Sequence, residues 1–166
     1  MFSLQSIRSR LIIASVFLLP LVCGSLAWSL DKAYSSSLAS AQQRQMMLQA
    51  YTLIAAAELE GATLLLPEQL TDDRLNQLSS DTFAVVIGEN FITEGVIWQS
   101  LSATDKLSEF DWQSKSLSAG QHQFFALRLG SEDYFVLQYA VEWEGRLGQL
   151  LPFQFIIFEN RSASDK

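Results

Sequence analysis

Leu11–Leu30 reads LIIASVFLLPLVCGSLAWSL, 20 consecutive residues without a charged side chain. At about 1.5 Å of rise per residue, a helix of this length covers about 30 Å, the thickness of a bilayer's hydrocarbon core. Arg8 and Arg10 precede the stretch, and Asp31 and Lys32 follow it. Positive charge is retained on the cytoplasmic side, so the pattern predicts residues 1–10 inside, one transmembrane helix over 11–30 and the rest exported. Trp28 suits the aromatic belt at the far interface, and Pro20 and Gly24 are tolerated in such helices. A cleaved signal peptide is the competing reading, with Ser25-Leu26-Ala27 as a small-x-small site. The apolar run continues through Trp28 and Leu30, which favours a retained anchor. Cys23 reads as a small apolar residue of the helix, and Val22 before it does not suit a lipoprotein site. No later stretch reaches bilayer length; Leu150–Phe158 is short and contains Pro152 and Gln154.

Charge divides the chain at the same place. All 18 acidic residues follow Leu30, so residues 31–166, with nine basic side chains, carry a net charge of −9. That sign excludes a nucleic-acid binder. One cysteine excludes a disulfide framework and a cysteine-based zinc finger. At 166 residues the chain has room for one domain plus an appendage.

Beyond the apolar stretch the pattern stays helical. Tyr34, Leu38, Ala41, Leu48, Tyr51, Ala55 and Leu59 fall on one helical face, and no Pro or Gly interrupts residues 31–60. Gly61 is the expected stop, and the apolar face is expected to pack on a sheet. Thr71-Asp72-Asp73 is expected to open a short helix, with Thr71 as its cap and Leu75 and Leu78 turned inward. Five strands are expected at 82–88, 95–99, 123–129, 134–143 and 153–158, with Gly130–Asp133 and Gly145–Gly148 as turns. In Tyr134–Trp143 the set Phe135, Leu137, Tyr139, Val141 and Trp143 alternates with the wetter set Val136, Gln138, Ala140 and Glu142. The predicted fold is α+β: an N-terminal transmembrane helix running into a long helix packed on a five-stranded antiparallel sheet. The exported domain is expected over 31–159, with a loose tail over 160–166.

Few residues point to chemistry. His122 is the only histidine and lacks the helical setting and adjacent acid of a phosphoacceptor; it reads as a surface residue at a strand entry. The eight glycines form neither GxGxxG nor a Walker loop. No enzymatic activity and no cofactor are therefore expected of these residues. Paired carboxylates remain: Asp72-Asp73, Glu132-Asp133, and Glu142 with Glu144, which two apart on a strand share a face. Such oxygens can hold Mg²⁺ or Ca²⁺, and Glu132, Asp133, Glu142 and Glu144 are the candidate ligands; a solvated acidic surface is the plainer reading. Asp72-Asp73 and Glu132-Asp133 already have helix-start and turn roles. Trp112 lies off the strands and is expected to cover the core edge or line a pocket.

Several stretches together resemble the N-terminal, membrane-plus-sensor part of PhoQ-like bacterial sensor histidine kinases. They are Leu64-Leu65-Leu66-Pro67-Glu68 after the long helix, the strand Phe83–Ile87, Val96-Ile97-Trp98-Gln99, and the terminal pair Tyr134–Trp143 and Phe153–Glu159. The resemblance covers most of residues 7–159. It implies a PAS-like (PDC) domain in the periplasm, held by a single pass through the inner membrane. Such a domain acts as a homodimer and reports external cations, acidity or peptides to a cytoplasmic kinase of a two-component system. The sequence departs from the family twice. Phe110–His122 holds only Asp111 where family members carry a dense acidic run, and a second crossing and a catalytic core do not precede Lys166. The expectation is therefore the input half of a receptor, truncated or separately encoded. A structural alternative is a bitopic component of a secretion or pilus machine.

Overall fold

The computed structural model describes residues 7–61, 63–78, 80–89, 94–106 and 117–163. Two compact units follow one another, Met1–Gln42 and Gln43–Lys166. Helix α1, Ile7–Ala56, contributes to both.

In the first unit α1 runs through Pro20 without a break. Its apolar side chains, among them Phe17, Leu19, Leu21 and Trp28, are exposed in the isolated chain. The helix is long and apolar enough to cross a membrane. The hydroxyls of Ser15, Ser25 and Ser29 donate to the carbonyls of Ile12, Val22 and Ser25 at 2.8–3.0 Å. Polar groups satisfied within the helix do not oppose transfer into hydrocarbon. Lys32 Nζ lies 5.3 Å from the centre of the Trp28 ring, where the ammonium is attracted to the π face.

The second unit is α+β. A small hairpin, β1 (Glu58–Glu60) and β2 (Thr63–Leu65), follows α1. The main sheet comprises β3 (Thr82–Glu89), β4 (Glu94–Gln99), β5 (His122–Leu129), β6 (Glu132–Glu144) and β7 (Leu150–Asn160). It is antiparallel throughout, in the order β4-β3-β7-β6-β5. The last strand lies at the centre and pairs with β3 and β6 along its length. Gly130, with φ of 56°, lets β5 turn into β6 within two residues.

Both faces of the sheet are covered, because successive side chains point to opposite sides. Met46, Ala50 and Leu53 of α1 pack with Ala84, Val86, Leu137, Phe155 and Ile157 on one face. On the other, Phe83, Val85, Val136, Ile156 and Phe158 form a second core with Ala103, from the short 3-10 helix Leu101–Ala103. A wet face on β6 is therefore not found over its middle: Val136, Gln138 and Ala140 are buried. The amide of Gln138 instead donates to that of Gln154 within the sheet's interior, which satisfies polar groups that alternation alone would send to solvent.

Four further expectations are corrected. The face of α1 on the sheet is Met46, Gln49, Ala50 and Leu53, while Leu48, Tyr51 and Ala55 are exposed. Residues 46–57 are apolar nearly all round, so spacing does not select the buried face. The helix stops at Ala56 rather than Glu60, because Gly61, with φ of 70°, closes the β1–β2 hairpin. Asp72, not Thr71, caps the short helix, a single 3-10 turn over Asp73–Asn76; Leu75 is buried, but Leu78 lies beyond the turn and is exposed. The final strand extends to Asn160, which is buried, so the tail begins later than residue 160.

Candidate functional site

The paired carboxylates lie apart. Glu132-Asp133 opens β6 and Glu142 and Glu144 close it. At about 3.4 Å per residue the two pairs stand about 30 Å from each other. Asp133 faces Arg128 at 3.7 Å, and Glu132 accepts a hydrogen bond from the Tyr134 hydroxyl. Glu142 and Glu144 are exposed, opposite Pro152 and Leu150 of β7. Among the described residues no group of three or more His, Cys, Asp or Glu is placed to hold a metal ion. His122 is exposed at the start of β5, its ring parallel to that of Tyr139 with 6.2 Å between centres. Trp112 and Asp111 lie outside the described residues.

Lys106 closes the second core. Its ammonium donates to the Ser80 carbonyl and the Tyr134 hydroxyl, both at 3.2 Å, and lies 5.4 Å from the ring centres of Phe83 and Tyr134. Burial, then the hydrogen bond to Glu132, raises the Tyr134 phenol above its ordinary range, so it stays protonated. With every group engaged, this cluster acts as a clasp rather than as a nucleophile.

A more promising arrangement lies between residues 45–56 of α1 and the segment 67–75. They enclose a cleft of about 550 Å³, within the range of small-molecule sites. Leu48, Leu53, Ala56, Pro67, Leu70 and Leu75 supply its apolar wall. The loop is set from within: Asn76 takes and gives hydrogen bonds with the Leu70 backbone, at 3.0 and 2.8 Å. At the polar end Gln49 Nε2 donates to Asp72 Oδ2 at 2.9 Å. Arg74 grips the same carboxylate through Nε at 3.1 Å and Nη2 at 2.9 Å, while its Nη1 lies 3.9 Å from Glu159 of β7. This network ties helix, loop and sheet together. Burial pushes the Asp72 carboxyl up, but the N–H donors and charge of Arg74, with Gln49, outweigh it and hold the group below the ordinary 3.8.

Of the polar residues of this site the sequence singled out only Asp72, with its neighbour Asp73, as a helix start and as one of the carboxylate pairs. The missed signals are a glutamine, Gln49, set between Met46, Ala50 and Leu53, and an acid, Glu159, ending an apolar strand. Polar residues in apolar runs are buried only where a partner waits. Compared with known families, characterised proteins and solved structures, the chain matches none.

Proposed function

We propose that this chain is a membrane-anchored signal-input module of a two-component sensor kinase, with a PAS-like domain in the periplasm of a bacterial cell. It detects an external cation, acidity or a peptide and passes the signal along α1 to the inner membrane. One observation carries the reading: the apolar, membrane-length stretch and the helix packed on the sheet belong to one α-helix, Ile7–Ala56. The sheet order, with its first strand between the second and the last, supports the PAS-like part. No phosphotransfer is assigned to these residues.

The module works as a homodimer. Leu48 is 67 % exposed and Tyr51 49 %, and Ala55 lies one turn on. Tyr34 and Ala41 precede them at heptad-like spacing and are also exposed. The exported part carries −9, so two copies repel over most of their surface, yet residues 33–57 hold a single charge, Arg44. Copies inserted in one membrane are parallel, so identical stripes meet.

Leu48→Glu tests this. Its side chain is exposed, so the fold is expected to persist while two like charges face each other across the pair. Dimer dissociation in lipid nanodiscs, followed by sedimentation, is expected to rise at least tenfold. A dimer of unchanged affinity contradicts the stripe. A second reading, a bitopic component of a secretion or pilus machine, would instead show as co-purification with a large envelope complex.

A further inference from the structure

The cleft beside α1 is unequally supplied with hydrogen-bonding groups. Gln49, only 8 % exposed, spends its N–H on Asp72 and leaves Oε1 without a donor. Glu159, which faces Arg74 but does not line the cleft, is 7 % exposed and has one oxygen, Oε2, without a donor. Arg74 puts Nε and Nη2 on Asp72 and turns Nη1 toward Glu159, and it donates to neither of these two oxygens. Asp73, at the mouth, is exposed and has no hydrogen-bond or ion-pair partner among the described residues. The lining itself carries Asp72, Asp73 and Arg74, a net charge of −1 beside an apolar wall.

That balance selects the sign of a ligand. An anion meets the uncompensated carboxylate of Asp73, and its own acceptors add to Gln49 Oε1, which already lacks a donor. A bare metal ion gains nothing from Leu53, Leu70 and Leu75. A cation with N–H donors and an apolar body satisfies both ends at once. We propose that the cleft binds a small primary amine, its apolar body on Leu53, Leu70 and Leu75 and its ammonium group at the Asp73 and Gln49 end. This ligand class rests on the sensor reading for its purpose, since a molecule wedged between Gln45–Ala56 and the loop bears on the helix that enters the membrane stretch.

Binding is measured on the full chain in nanodiscs carrying ¹³C-labelled leucine methyl groups. Phenethylamine, protonated at pH 7, is titrated against its neutral and anionic counterparts, 2-phenylethanol and 3-phenylpropanoate, and against Mg²⁺ alone. The methyl signals of Leu53, Leu70 and Leu75 report on the cleft itself, so partition of the amine into lipid does not imitate the result. Saturable shifts are expected with phenethylamine, and affinity at least tenfold weaker with the alcohol, the acid and Mg²⁺. Asp73→Asn, at an exposed position, is expected to shrink the preference for amine over alcohol to under threefold. Ala56→Phe, which fills the cleft, is expected to abolish the shifts. Equal affinity for amine and alcohol, an unchanged preference in Asp73→Asn, or no saturable shift overturns the proposal. Amine binding without any signalling response in a kinase graft counts against the sensor reading alone; a responsive graft without amine binding counts against the cleft alone.

Discussion

Phe155→Ala is expected to destabilise the sheet unit by about 3–5 kcal/mol, the usual cost of deleting a buried aromatic ring. Phe155 is fully buried on the central strand β7, between Val86 of β3 and Tyr139 of β6, with the Trp143 ring 5.8 Å away. It lies on the face where α1 packs, so the cavity opens at the meeting of helix and sheet. Neighbours on paired strands cannot collapse into it without breaking the ladder. Domain stabilities are about 5–15 kcal/mol in all, so a large part is lost. A fall in melting temperature of about 10–20 °C is expected for a unit of this size. Leu147→Ser is the control: Leu147, 91 % exposed at the β6–β7 turn, is expected to change stability by less than about 0.5 kcal/mol. Thermal melts of the full chain in micelles check both, and similar losses for the two contradict the packing described.

The second large effect is expected at Arg74. Arg74→Met leaves Asp72 and Glu159 without their shared cation. Removing one partner of a buried pair costs about 3–5 kcal/mol, and the partial exposure of Arg74 and its 3.9 Å separation from Glu159 reduce this to about 2 kcal/mol. The loss stems from stranded charge, so adding Glu159→Gln to Arg74→Met is expected to recover about half of it. Double-mutant melts that show simple additivity contradict the network. Asp72 also sets an acid limit. Asp72 titrates below its ordinary 3.8 when folded, so its contribution is complete above that value and is lost as pH falls through the lower folded value. Melts taken from pH 5 downward are expected to fall more steeply below pH 4 in the native chain than in Asp72→Asn.

The elements were legible where pattern and packing agree. The apolar stretch after Arg10, the alternation in Phe135–Trp143 and the glycines at 130 and 148 placed α1, β6 and the turns within a few residues of where they lie. The buried face of α1 was not legible, because Met46 to Ala57 offers apolar side chains in every direction and only the sheet decides between them. The second core was hidden for a related reason. Gln138 and Gln154 are polar by composition, yet each satisfies the other, and Ala103 lies over the same face from a 3-10 turn too short to announce itself. The site was less legible still. Its parts, Gln49, Asp72, Arg74 and Glu159, are scattered over 110 residues and meet only when α1, the loop and β7 pack together. The carboxylate pairs, adjacent in sequence and so conspicuous, are spread to the two ends of β6.

The proposed passage of a signal along α1 requires that helix to be unbroken. Its most direct test joins this chain to the second membrane helix and catalytic region of a two-component kinase in proteoliposomes. Autophosphorylation is followed as pH, Mg²⁺ or phenethylamine is varied, with and without a Gly-Pro pair inserted after Ser35. Proline removes a backbone donor and clashes with the preceding turn, at a cost of about 3 kcal/mol, so the insertion interrupts the helix there and leaves Gln43–Lys166 folded. The expected result is a response in the native graft and none in the inserted one, with the same melting temperature for both. A response that survives the insertion undiminished contradicts the account.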